Sequence, residues 1–555
     1  MESRTDKRLY IYGGEIADGT GGPLYRADLF IEKGRIVEVR PRDPRAAPGL
    51  GSSGGRGATS SQGEERQDDA QLIDAGGLVI APGFIDVHSH ADNAPLLSGD
   101  DTSKILQGVT TEVVGNCGFS LGPAIAPRMS ELSRLLGRIF PAETPTFTAV
   151  ADLFAATDAA GYVTNYVPLI GHNTLRIAAM GMEARTAVRE EVATMQRLLE
   201  AGLDAGAFGL SSGLIYPPGI FAETAELVEL ARVLRHGGIY ATHMRNEGSR
   251  LLASVGEALE IGRKAHCRVE ISHLKSSGRA NHGQVSGALG LLERARDAGL
   301  FVAADVYPYA ASSTMLTACL PPSAQEGGDE ALLARLSDRA LRQEMRQTIE
   351  APRDTSFENT IAGVGYEGIR IASTASHSYE GETLAEIAGK MGVPPFEAMA
   401  ALLLEESLRV AVTIFSMAEV DVATVLRHPL TMIGSDGLPP GVGGKPHPRL
   451  YGTFPRVLGR YVRDEKILSL PEAVAKMTSV PADAFGLADR GRIRQGAVAD
   501  LVGFSPATIA DAGTYTDPVA DPLGISFVTE AGVVVVSDGC FCGSRRGQRL
   551  RPAGI

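Results

Sequence analysis

The 555-residue chain predicts a (β/α)8 barrel with a small β-sandwich domain built from its N- and C-terminal strands and a lid insertion between barrel strands seven and eight. Three observations carry that expectation. Eight short apolar stretches rich in β-branched residues recur along the chain; most are followed by a helical pattern; and strand-like segments occur again at both ends. Strands alternating with helices bury a parallel sheet beneath a ring of helices. The length suits one large barrel with an accessory domain, and 44% hydrophobic and 21% charged residues supply a core without any mark of global disorder.

The elements follow in order. Residues 8–45, "RLYIYGGEIADGTG" and then "ADLFIEKGRIVEV", read as short strands broken by Gly and Asp. Residues 46–70 are rich in Gly, Ser and charge with little to bury, so they read as a flexible surface insertion. The eight barrel stretches are "FIDVHSH" (84–90), "TTEVVGNCG" (110–118), "NYVPLIGHN" (165–173), "AFGLSSG" (207–213), "IYATHMR" (239–245), "RVEISHLK" (268–275), "FVAADVYPY" (301–309) and "TMIGSDG" (431–437). Between the fourth and fifth, Leu227, Leu230, Ala231 and Leu234 fall on one face of an amphipathic helix. "EVATMQRLLEAGLDAG" and "VSGALGLLERARDAG" behave alike, each ending near a Gly that can cap it. The stretch 310–370 is long, charged and poor in strand signal, as a lid or small subdomain would be. After the barrel, "GRIRQGAVADLVGF" and "GISFVTEAGVVVVSDG" read as strands that rejoin those at the N-terminus. The expected boundaries are 1–80, 81–480 and 481–555.

Composition narrows the partners. A net charge of −13 argues against nucleic acid or an anionic membrane surface, and no apolar run approaches the ~20 residues a bilayer requires. The opening "MESRTDKRLYIYGG" lacks the apolar stretch of a signal peptide, which makes the cytoplasm the expected location. Five cysteines, an odd count in so long a chain, fit reduced thiols.

Chemistry in such barrels gathers at the C-terminal strand ends. Those ends carry His88 and His90 on strand one, Cys117 on strand two, His243 on strand five, His273 on strand six and Asp436 on strand eight. Residues two apart on a strand face the same way, so His88 and His90 can aim at one ion. Imidazole, thiolate and carboxylate are the ligand set of zinc. A lone His is usually a satisfied polar residue and a lone Cys a small core residue. Six metal-competent groups at five strand ends, from only 11 His and 5 Cys, outweigh that reading. Cys267 and Cys319 have no such company and read as structural, while Cys540 and Cys542 read as surface thiols.

"PGFIDVHSHAD", "GVTTEVVGNCGFS", "GLSSGLIYPPG", "THMRNE", "ISHLKSSG", "DVYPYAASST", "IGSDGLP" and "HPRLYGTFPRVLGRY" together resemble the D-aminoacylase (N-acyl-D-amino-acid deacylase) branch of the amidohydrolase superfamily. The likeness spans nearly the whole chain apart from 46–70 and parts of 320–370. It implies zinc-dependent hydrolysis of the amide bond of N-acyl-D-amino acids. It further implies that Cys117, His243 and His273 hold a tight zinc, with Cys117 standing where many superfamily members use a carboxylated lysine. His88, His90 and Asp436 then surround a second, weaker position. Asp436 is the candidate general base, although "SDG" is also a turn signal. Lys275, Tyr307, Ser313 and Arg449 match the family's positions for gripping the substrate α-carboxylate. His172 is a weaker pocket candidate, and Leu214, Ile215 and Tyr216 are candidates for an apolar wall or simple packing.

Two other readings compete. A cyclic amidase or isoaspartyl-dipeptidase-like enzyme usually needs a bridging lysine or glutamate, and the strand-four segment "AFGLSSGLIYPPG" contains no lysine. A non-catalytic assembly protein commonly loses metal ligands, which this chain retains. The segment after Ser313, "TMLTACLPP", offers Met315, Leu316 and Leu320 but no cation, so neutral and mainly apolar D-side chains are expected. The expected partner is a small N-acyl amino acid. The sequence leaves the oligomeric state open.

Overall fold

Eight parallel strands form one sheet in the computed structural model, which describes residues 8–42, 70–141, 143–234, 237–351 and 357–553. They are Phe84–Asp86, Val109–Val114, Asn165–Gly171, Gly209–Gly213, Ile239–His243, Arg268–Ile271, Val302–Val306 and Thr431–Ile433, neighbours in chain order. Each falls in one of the eight stretches read from the sequence, the second beginning one residue earlier, at Val109. The ring closes just past the last strand, where Ser89 bridges Gly437. There the Asp436 N–H donates to the His88 carbonyl at 2.7 Å and the His90 N–H to the Gly437 carbonyl at 3.1 Å.

The pleat sorts the side chains. Ile85, Val113, Val167, Leu169, Ile239, Ala241, Ala303 and Met432 point into the barrel and form one cluster with Phe485 and Leu487. The barrel is therefore packed toward its N-terminal end, and reactive side chains are left to the opposite rim. On the outer face Ile170, Leu210 and Tyr240 pack with Leu227, Leu230 and Ala231 of the helix Thr224–Ala231, the stripe expected from its spacing.

The chain ends meet in a ten-stranded sheet drawn from residues 8–41, 70–82 and 501–541. Val79–Pro82 pairs antiparallel with Leu501–Phe504. Alternate residues Leu9, Ile11, Leu29 and Ile31 face Ile80, Leu501 and Phe527 across a shared core, as in a sandwich. The expected 46–70 insertion lies outside the described residues apart from Ala70, which opens the strand Ala70–Asp74.

Between barrel strands seven and eight the chain builds a subdomain with its own core. Ser312–Met315, Val410–Ile414 and Ile369–Thr374 form a three-stranded antiparallel sheet covered by helices such as Leu384–Met391 and Pro395–Glu405. This excursion continues well past residue 370. Its central strand "VAVTI" is buried along its whole length. Without polar alternation, period alone does not separate such a run from buried helix. Among the described residues, no single helix is long and apolar enough to cross a membrane.

Candidate metal centre and active site

The six groups read from the strand ends converge at the barrel mouth, where they form two overlapping sets. Cys117, His243 and His273 make one; His88, His90, Cys117 and Asp436 make the other. Within each set the candidate ligand atoms all lie within 4.8 Å of one another. Local backbone aims them. Cys117, His273 and Asp436 follow their strands with φ of 53°, 39° and 49°, a left-handed conformation unusual for residues with a Cβ. Such strain persists where the surroundings over-determine it, characteristically at functional sites.

The spacing fits a metal shell. Cys117 Sγ lies 3.3 Å from His88 Nε2, 3.6 Å from His273 Nε2 and 3.9 Å from His243 Nδ1. Sulfur and nitrogen ligands on a tetrahedral zinc stand about 3.5 Å apart, given bond lengths of about 2.3 and 2.0 Å. Burial alone would raise the Cys117 thiol, but the facing imidazoles of His88, His243 and His273 hold it well below its ordinary value. The thiolate is the form that ligates. Asp436 is also held well below the usual carboxylate range: Arg449, His88 and His90 together outweigh its burial. Its Oδ1 lies 3.2 Å from His90 Nε2 and its Oδ2 2.9 Å from Arg449 Nη2.

Two carboxylates behind these groups were not singled out in the sequence. Asp305, on strand seven, lies 3.0 Å from His88 Nδ1. Glu247 lies 2.9 Å from His273 Nδ1 and receives Lys275 Nζ on both oxygens at 2.7 Å. A carboxylate on Nδ1 fixes the tautomer that leaves Nε2 free to ligate. His243 is turned the other way, with Nδ1 toward Cys117 and Nε2 buried without a hydrogen-bond partner. Lys275 and His273 hold Glu247 ionised despite burial that pushes its carboxyl up.

A cavity opens beside the six groups, with His90, Cys117, His243, His273 and Asp436 in its wall. Lys275 and Ser313 line it; Arg449 and Tyr307 are not in the wall but touch residues that are, Arg449 at Asp436 and Ser313 and the Tyr307 ring 5.8 Å from Lys275 Nζ. The Ser313 hydroxyl donates to the Val412 carbonyl, and Arg449 Nη2 donates to the Ser313 carbonyl at 3.1 Å. Arg449 Nε and Nη1 and the Tyr307 hydroxyl are buried with no partner among the described residues. The guanidinium lies 4.5 Å over the Tyr307 ring. Orphaned buried donors are costly, and an anion placed against them recovers the cost.

Other expectations divide. Ile215, Tyr216 and Met315 line the cavity, whereas Leu214 is buried in packing and Leu316 and Leu320 belong to the core of the subdomain. His172 is buried outside the cavity, 2.8 Å from Glu226, which also pairs with Arg176. Cys267 and Cys319 are buried thiols, each pushed up to about 12 by burial, and Cys540 and Cys542 are exposed.

The sequence profile of the amidohydrolase family matches residues 71–536. The chain is 38% identical to N-acyl-D-glutamate deacylase of Alcaligenes xylosoxydans xylosoxydans over 538 residues, 96% of this chain and 94% of that protein. It is 37% identical to D-aminoacylase of the same organism over 543 residues, 98% of this chain and 97% of that one. The crystal structure of N-acyl-D-glutamate deacylase from Bordetella bronchiseptica, complexed with zinc and a phosphonate mimic of the tetrahedral intermediate, superposes with a TM-score of 0.79 at 37% identity, covering 99% of this chain and all of that one.

Proposed function

The chain belongs to the amidohydrolase family, and from that premise we propose that it is a zinc-dependent deacylase of N-acyl-D-amino acids, releasing a carboxylate and the free D-amino acid. The observation that carries this reading is the convergence of Cys117, His243 and His273 at zinc-shell spacing beside unpartnered anion-binding donors. The relatives named N-acyl-D-glutamate deacylase and D-aminoacylase, and the deacylase structure complexed with zinc, support it.

Cys117, His243 and His273 would hold the tight ion, and His88, His90 and Asp436 a second, weaker one that shares Cys117. Zinc, when bound, lowers the pKa of water and polarises a carbonyl. Asp436, in the cavity wall, takes the proton from the attacking water and delivers it to the departing nitrogen. Arg449 Nε and Nη1 with the Tyr307 hydroxyl receive the substrate α-carboxylate; Lys275 adds a point charge and Ser313 borders it. That grip fixes one end of the substrate while its carbonyl faces the ligand cluster, so geometry supplies much of the catalysis.

The side chain then meets Phe119, Ile139, Ile215, Met315, Ile414 and Leu438. Each methylene buried there gains about 0.8 kcal/mol, which favours neutral, mainly apolar D-side chains. Sequence identity does not choose between the two relatives, at 38% and 37%. A thiolate ligand also suits the reducing cytoplasm. The test is hydrolysis of N-acetyl-D-leucine against N-acetyl-L-leucine by zinc-loaded protein. Turnover confined to the D form is expected; absence of turnover on N-acyl-D-amino acids refutes the reading.

A further inference from the structure

The cavity wall contains one cation among the described residues, Lys275, and three acids: Glu247, Asp436 and Glu358. Glu247 already holds Lys275 on both oxygens, and Asp436 holds Arg449. Glu358 stands apart from that bookkeeping. It comes from the subdomain inserted between strands seven and eight, and among the described residues it has no ion-pair partner, its Oε2 accepting the Glu247 backbone N–H at 2.5 Å.

Its position decides what it meets. With the α-carboxylate on Arg449 and Tyr307 and the scissile carbonyl at the ligand cluster, Glu358 and Thr360 are polar members of a remaining wall that is otherwise largely apolar, with Ile215, Met315, Ala318 and Ile414 in it. Glu358 lies close to the Met315–Cys319 segment: after burial, its charge is the next cause raising the Cys319 thiol. Burial, and then the neighbouring Glu247, push the Glu358 carboxyl itself up to about 7, against the pull of Lys275 and His273. Above about pH 7, where that carboxyl is mostly ionised, a second negative charge brought into this wall would face a carboxylate with no unpaired Lys or Arg in the wall among the described residues.

We infer that Glu358 sets the charge selectivity of the cavity and is the residue that excludes substrates with an anionic side chain. The inference rests on the deacylase reading and adds a mechanism to it. Rejection of D-glutamate arises from a like charge supplied by the inserted subdomain, beyond the mere lack of a partner after strand seven. Specificity built by repulsion is relieved when the repelling group is neutralised.

The test compares kcat/KM for N-acetyl-D-glutamate and N-acetyl-D-leucine at about pH 9, where the Glu358 carboxyl is ionised, in the zinc-loaded wild type, Glu358→Gln and Glu358→Lys. Glutamine keeps an oxygen to accept the Glu247 N–H and removes only the charge. The glutamate-to-leucine ratio should rise about tenfold or more in Glu358→Gln, with the leucine value within about threefold of wild type, and should rise further in Glu358→Lys. A ratio unchanged in both variants overturns the inference, as does a parallel loss on both substrates, which marks a purely structural role. A wild type inert toward every N-acyl-D-amino acid brings down the deacylase reading itself, and this inference with it.

Discussion

Cys117 is the one residue common to both candidate ligand sets, so its removal is the most searching perturbation of the metal centre. Cys117→Ala leaves His243 and His273 alone on the tight side and three groups on the other. Four-ligand zinc sites gain on the order of 10–16 kcal/mol, about 3 kcal/mol per ligand, so losing one should weaken binding by about 100-fold or more. The observed Sγ–N distances of 3.6 and 3.9 Å to His273 and His243 match a shared tetrahedron, which supports charging the full ligand value to this thiolate. The assay is zinc per chain by elemental analysis after dialysis, with a chelator competition to give the affinity. His88→Ala is the contrast, since it leaves Cys117, His243 and His273 intact and should retain one zinc. Circular dichroism keeps misfolding separate from ligand loss. A full zinc complement in Cys117→Ala with unchanged chelator competition would refute the assignment.

Asp436→Asn should retain the tight zinc and lose at least ~10²-fold in kcat, because the amide cannot accept a proton; near-wild-type kcat removes it from the mechanism. Asp305→Asn should weaken uptake of a second metal equivalent about 10–100-fold by freeing His88 Nδ1 while the first stays bound, and identical metal titrations would exclude that positioning role. Glu226 is held at about 2 against an ordinary 4.5, through His172 and Arg176 in spite of burial. Its depressed value contributes about 3 kcal/mol of stability, fully present above about pH 4.5 and lost as pH falls toward 2. The Tm of Glu226→Gln should therefore be lower at neutral pH and fall less steeply below pH 4.5 than that of the wild type; parallel acid branches would contradict this.

Much of this architecture was legible because the barrel repeats its signal. Each barrel strand carries a local apolar run, and the ligands sit at the ends of those runs, where sequence order already separates them onto different strands. What resisted reading was pairing across the mouth. Glu247 lies in "THMRNE", four residues after His243, which it meets at 3.7 Å, yet its closer partners are His273 and Lys275, just past the next strand. Asp305 stands in the strand-seven stretch, but only barrel closure sets it against His88 on strand one. Glu358 is one acid in a charged stretch, and nothing local distinguishes it from solvated neighbours. The inserted sheet escaped for another reason: "VAVTI" is buried on both faces and gives no period to follow.

The pairing of Val79–Pro82 with Leu501–Phe504 carries a consequence for how the protein is born. The strand that leads directly into the barrel waits for a partner made some four hundred residues later. During synthesis the whole barrel and its inserted subdomain leave the ribosome while that strand still lacks its later neighbour, a bare edge of the kind that invites pairing with other chains. Loop closure grows only slowly with length, so the late pairing is thermodynamically cheap once the C-terminal strands arrive. The hazard is one of timing: nascent chains stalled between the barrel and residue 501 are the species most prone to aggregate, and the last strands made are what close the first domain begun.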